Sequence, residues 1–261
     1  RWPIVRGVVT LGYAMQLGYR AMKYSTNVAL AEAQPDTAEE DKIQVKGWLS
    51  TLNTVISLLF FVAFYKFLPL VTARAIQRRA HYSTLTTNFV DGGIRILLFL
   101  GFLFLLSRMK DIRRMFQYHG AEHKTVFAFE ANPNAPVTVE GAQTYVTWHP
   151  RCGTSFLMTV MLISLCVYAL FPAQHFASQF ALRLLLLPVI AGVSYELIRF
   201  AGKRRSEGRD GGLFHLLTLP GLWLQRITTQ PPSDDQVTCA ITALDRAMEL
   251  ERQRGGVLTL A

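Results

Sequence analysis

From Gly47 to Tyr65 no side chain carries a charge, and after Lys66 the apolar run resumes from Phe67 to Ala73. A helix needs roughly 20 such residues to cross a bilayer, and the stem of Lys66 can carry its ammonium to the interface. Residues 48–73 are therefore read as a first span, closed by Arg74, Arg78 and Arg79. A second span over 84–107 contains Asp91 and Arg95, which fall on one helical face and can neutralise each other. Between Gly153 and Leu182 there is again no Asp, Glu, Lys or Arg, which is too long for one crossing. Phe171, Pro172, Ala173, Gln174 and His175 punctuate it, so the pattern predicts spans over 154–171 and 178–201 around a tight turn.

Weaker patterns flank these runs. Arg6, Arg20 and Lys23 break up the first thirty residues, which favours a helix lying in the membrane interface over a fifth span. Pro35 and a cluster of acids mark a solvated linker after it. Near the other end, Ser233 and Gln236 have capping-box spacing. Val237, Ala240, Ile241, Leu244 and Met248 then line one face of a helix ending at Gly255 and Gly256. The expected fold is all-α: an interfacial helix (1–33), an acidic linker (34–47) and a four-span membrane domain (48–202) enclosing a motif loop (108–153). A basic juxtamembrane linker (203–232) and a cytoplasmic amphipathic helix (233–261) follow.

Composition agrees: 51% of the 261 residues are hydrophobic and 17% charged, against about 25% charged in an average soluble domain. Disordered and fibrous classes are excluded. The net charge of +9 fits a nucleic-acid partner or a lipid surface, and its distribution decides between them. Arg108, Lys110, Arg113, Arg114, Lys124 and Arg151 lie between spans two and three, whereas no Lys or Arg joins spans three and four. By the positive-inside rule the 108–153 loop and both termini face the cytoplasm, or the stroma of a plastid. Topology thus accounts for the charge, which points to anionic headgroups and not to nucleic acid. A bacterial inner membrane or an organellar membrane is the expected location. Cys152, Cys166 and Cys239 are odd in number and far apart, so no disulfide framework is expected. Arg1 follows no charged n-region and is not methionine. No signal peptide is expected here, and further sequence upstream is.

The helical pattern continues beyond span two, and His119, His123, Phe127 and Glu130 fall on one stripe. His119-Gly120-Ala121-Glu122-His123 has the spacing H-x-x-E-H. Two imidazoles one turn apart can bind one cation, and Glu122 beside them can activate water as general base. His149, Pro150, Arg151, Cys152 and Gly153 stand just before span three, where proline and glycine can aim an imidazole and a thiolate into one volume. Four ligands from His119, His123, His149 and Cys152 would close a structural zinc site, and three with an open position would make a catalytic one. Glu196 is a further candidate ligand, because a downstream glutamate completes inverted zincin sites, although Arg199 is an equally simple partner for it. Asp91, about 16 residues before Ser107 and so ~24 Å from the inner end of its span, should pair with Arg95 or Arg183 instead.

The runs Lys110 to Arg114, Tyr118 to Thr125 and His149 to Phe156 resemble the YqhQ-like family of uncharacterised membrane proteins. So do Arg6 to Val8, Ser194 to Glu196, Pro220 to Gln225, and Thr228 with Thr229. The resemblance implies a polytopic bacterial or organellar protein described as a predicted metal-dependent enzyme with no agreed substrate. Members of the family usually carry a glycine-rich segment before the position of Arg1.

A metal-dependent hydrolase or peptidase with a divalent cation, most simply zinc, at the cytoplasmic membrane face is the leading expectation. A zinc-stapled scaffold or assembly factor, whose carboxyl-terminal helix binds partner proteins or a second copy, is the alternative. A transporter component built on Asp91, Arg95, Arg183 and Glu196 is the third.

Overall fold

A computed structural model describes residues 2–32, 47–81, 83–150, 152–170, 175–206 and 213–255. Among them there is no strand. The helices are α1 (Pro3–Glu32), α2 (Gly47–Val62), α3 (Leu68–Ala80), α4 (Thr84–Leu106), α5 (Lys110–Ala131), α6 (Val139–Gln143), α7 (Gly153–Leu170), α8 (Phe176–Leu185), α9 (Leu187–Ser206), α10 (Leu213–Thr228) and α11 (Asp234–Gln253). A π-helical turn, Ala63–Phe67, joins α2 to α3 without breaking them.

Among the described residues three helices are long and apolar enough to cross a membrane: Thr51–Ala80, Leu85–Leu106 and Gly153–Leu170. A fourth is added if α8 and α9, bent by 40° at Leu186, count as one span. Pro188, the second residue of α9, has no N–H to give to the preceding turn, which explains the break. The runs expected as spans overlap these helices, the fourth only if the bent pair counts as one. Leu58, Leu59 and Phe60 stay exposed on α2, as suits a helix whose solvent is hydrocarbon.

Several expectations fall wholly or partly outside the described residues, among them the acidic linker, the tight turn after span three, Arg151, part of the basic linker and the helix end at Gly256. Residues 203–232 differ from the linker expected of them. α9 extends to Ser206, and Leu213–Thr228 is a helix, whose Pro220 did not prevent it.

The chain forms two compact units, residues 1–95 with 167–193, and residues 96–166 with 194–261. In the first, α1 is a long helix in which only Gly7 is buried. Its start packs on α9 at Gly192, where an added Cβ would come within 2.6 Å of Ile4. Arg74 on α3 donates from Nε and Nη2 to Gln179 Oε1 on α8, at 2.9 and 2.7 Å.

In the second unit α11 lies along α5 and α6. Val237, Ala121 and Ala142 are fully buried together, bordered by Ala128, Val137, Val139, Ala240 and Ile241. Small residues on α5 and α6 bring the helices close enough for Val237 to fill the seam. The capping box forms as its spacing suggests, with the Ser233 N–H donating to Gln236 Oε1 at 2.9 Å. At Val237 the apolar face of α11 is covered by the chain itself, while Leu244 and Met248 on the same face are half-buried. Val237→Ala should lower stability by about 2 kcal/mol. The check is the unfolding midpoint of the detergent-solubilised protein, and an unchanged midpoint would mean that this seam does not hold α11.

Candidate metal centre

α5 carries His119 and His123 one turn apart, their ring centroids 4.4 Å from each other. Cys152 stands immediately before α7, and its sulfur accepts from the Thr154 N–H at 3.4 Å. His119 Nε2 lies 3.2 Å from Cys152 Sγ. One ligand atom from each of His119, His123 and Cys152 falls within 4.8 Å of the other two. Tetrahedral ligation with bonds of about 2.0–2.3 Å would place such atoms roughly 3.3–3.6 Å apart. The set needs only a small contraction, so these three residues fit a cation.

The far side of each ring explains why the donors converge. His119 Nδ1 is 2.8 Å from the Thr228 carbonyl, and His123 Nδ1 meets the Thr147 carbonyl. A carbonyl only accepts, so each Nδ1 must carry the proton, which leaves Nε2 of the neutral ring as a bare lone pair. Histidines that hold metals are oriented in this way.

Glycine and a few buried polar groups put those carbonyls in place. A Cβ on Gly120 would stand 2.2 Å from the Gln230 carbonyl oxygen. Only glycine lets the chain leaving α10 approach α5, where the Gln230 N–H donates to the Phe116 carbonyl at 2.9 Å. Buried Lys124 donates to the carbonyls of Gln143 and Tyr145, tying the segment before Thr147 to α5. Gly221 allows α10 to touch Ser155 at the start of α7, since a Cβ there would meet Ser155 Cβ at 2.6 Å. One turn on, fully buried Gln225 accepts from the His149 N–H at 2.6 Å. It also donates to the His149 carbonyl at 2.8 Å and to Ser155 Oγ at 2.7 Å.

The remaining expected residues are arranged differently. His149 is not within the ligand group. Its ring lies 5.8 Å from that of His123 and 4.4 Å from Phe127, and Nε2 is 3.3 Å from Glu130 Oε2. Glu122 is exposed and lines a cleft between α5 and α11 with Tyr118, Val126, Cys239, Ala240 and Leu244. One residue before His123 on a helix, it is turned about 100° from that imidazole. Glu196 is half-buried on α9 and is also outside the group. Glu130, Gln225, Thr147 and Thr228 were not foreseen as site residues. Glu130 had a signal, its place on the histidine stripe, whereas the others act through contacts distant in sequence.

Charge is shared between Cys152 and His119. Burial alone pushes the thiol up, but hydrogen bonds with His119, His123 and Thr154 outweigh it and bring Cys152 down to about 5. Burial pulls His119 down, and the hydrogen bond and charge of Cys152, with the Thr228 carbonyl and Glu122, hold it above the ordinary imidazole value. Without metal the Cys152 side chain is a thiolate near neutrality.

An all-α chain with membrane-length helices and this His–His–Cys cluster belongs to the family DUF1385, of unknown function, which it matches over residues 2–250. It is similar to the uncharacterized protein YqhQ of Bacillus subtilis (strain 168), with 32% identity over 255 residues, covering 95% of this chain and 78% of that protein. No solved structure matches it.

Two outcomes test the geometry. Gly120→Ala should displace the Gln230 backbone and cost stability by about 2 kcal/mol or more, read as a lower unfolding temperature. Wild-type stability would remove the close approach from the account. In metal-free protein with Cys166 and Cys239 replaced by Ser, alkylation of Cys152 should stay fast down to about pH 5 and fall below it. His119→Ala should move that midpoint up toward the ordinary thiol range. A midpoint near 8.5 in the parent, the usual value for a free cysteine, would contradict the thiolate.

Proposed function

We propose that this chain is an integral membrane protein holding a divalent cation, zinc by the nature of its donors, at His119, His123 and Cys152, and that it is a metal-dependent hydrolase. The observation that carries the reading is the convergence of two Nε2 lone pairs with one thiolate. Stripped of protons, three such donor atoms repel one another, and a cation among them takes the place of the proton that His119 and Cys152 share without it. Three protein ligands correspond to the open arrangement of catalytic zinc, whereas a closed structural site would need a fourth, the role first considered for His149.

A cation held there supplies Lewis acidity to the bond being cleaved. The chain's own residues handle the proton. His149 Nε2 and the Glu130 carboxylate are 3.3 Å apart, and this hydrogen-bonded pair is the group that takes a proton from attacking water. Gln225 fixes the His149 backbone through both its N–H and its carbonyl, so the imidazole has little freedom to drift. Glu130 and His149 are thus the acid–base pair, and Glu122 has another setting. The bias of Lys and Arg toward residues 108–153 supports a site at the cytoplasmic face of a bacterial inner membrane, or the stromal face of a plastid membrane.

Metal analysis of purified protein should find about one divalent ion per chain, and less than about a tenth of that in a His119→Ala, His123→Ala variant. No stoichiometric metal in the parent would end the proposal. Glu130→Gln and His149→Gln should keep the metal while turnover on a panel of chromogenic esters and peptides falls about 10²–10⁴-fold. Glu122→Gln should keep both. The reverse pattern would return the role of base to Glu122.

A further inference from the structure

The first unit buries more positive charge than it neutralises. Lys66, Arg95 and Arg183 are 6, 3 and 1% exposed, and Asp91 is 1% exposed. Among the described residues of that unit the one other carboxylate is Glu32, exposed at the end of α1. Asp91 Oδ2 takes both guanidiniums, Arg95 Nη2 at 2.8 Å and Arg183 Nη1 at 2.7 Å. The three cations gather around the ring of Tyr168, with Lys66 Nζ and Arg95 Cζ 5.5 Å from its centroid and Arg183 Cζ 5.2 Å.

The charges do not balance. A guanidinium keeps its proton in proteins, so even with Lys66 uncharged two fixed cations face one carboxylate. Tyr168 does not provide the missing negative charge, because its hydroxyl donates to the Arg183 carbonyl at 3.1 Å and so keeps its proton. The face of the ring offsets part of the repulsion, yet an uncompensated buried ion still costs several kcal/mol. Unused donors accompany the excess: Arg95 Nη1 and Arg183 Nε are buried without hydrogen-bond partners among the described residues. Asp91 Oδ1 is buried without a donor, which a water accompanying a hydrated anion would satisfy. The carbonyl of Tyr65, in the π-helical turn, accepts from Arg95 Nε at 3.1 Å and fixes that side chain.

We propose that Lys66, Arg95 and Arg183, gathered around Tyr168, form a binding site for a small monovalent anion of the halide or carboxylate class. The site is separate from the His–His–Cys centre and does not depend on it. The anion offsets positive charge that Asp91 leaves unneutralised, and its affinity is set by the excess of cation over carboxylate.

The test is the unfolding temperature of the detergent-solubilised full chain at constant ionic strength, with gluconate replaced stepwise by chloride or by formate. The parent should show a saturable rise with both small anions. Asp91→Asn increases the excess charge and should tighten the half-saturation point at least about tenfold, or about 1.4 kcal/mol. Arg95→Gln removes one cation and should weaken the half-saturation point at least about tenfold. These two effects are opposite in sign, which general structural damage would not produce. An Asp91→Asn protein that folds only when formate or chloride is present is also the expected behaviour. A parent with no saturable response would overturn the site. So would an Asp91→Asn protein that responds no more strongly than the parent, or that fails to fold in any of the anions.

Discussion

Two backbone carbonyls, those of Thr147 and Thr228, decide what the centre of the second unit can be. Each takes the Nδ1–H of a histidine on α5 and so presents the other ring nitrogen, unprotonated, toward Cys152. Much else in the unit keeps those carbonyls where they are. Gly120 admits the chain after α10, Lys124 ties down the segment before Thr147, and Thr229, next to Thr228, donates from Oγ1 to Thr147 Oγ1 at 3.1 Å, joining the two segments. The seam of α11 on α5 and α6 closes the other side of the same helix.

Burial serves different ends in the two units. Around His119 and Cys152 the buried polar groups are matched to one another, and they converge on donors that suit a cation. Around Tyr168 they are mismatched, with cations in excess of the single carboxylate. Helices apolar on nearly every face supply the low-dielectric setting in which a mismatch has consequences, since the same charges at a wet surface would be screened.

The membrane-length helices were legible in the sequence because a long run without charges has few physical interpretations. The capping box at Ser233 was legible because it is local, and so was the pairing of His119 with His123, which helical periodicity alone dictates. Asp91 was assigned Arg95 or Arg183 as its partner, and the structure gives it both. Contacts between distant segments were not legible. Residues 203–232 looked like a basic linker because Lys203 to Arg205 and Pro220 dominate the pattern. Leu213–Thr228 is nonetheless a helix, and its Gln225 holds His149 across 76 residues of chain. Glu122 drew attention through its motif, but rotation along α5 turns it toward α11, while Glu130 reaches the imidazole. Spacing shows which residues share a face, and packing decides what that face meets.

The central claim, that His119, His123 and Cys152 are the protein ligands of one cation, is tested most directly by metal-edge X-ray absorption spectroscopy on the purified full chain. One sulfur at about 2.3 Å, two imidazole nitrogens at about 2.0–2.1 Å and one further light atom are expected around the metal. A coordination shell lacking sulfur, or lacking the multiple-scattering signature of imidazole, would contradict it.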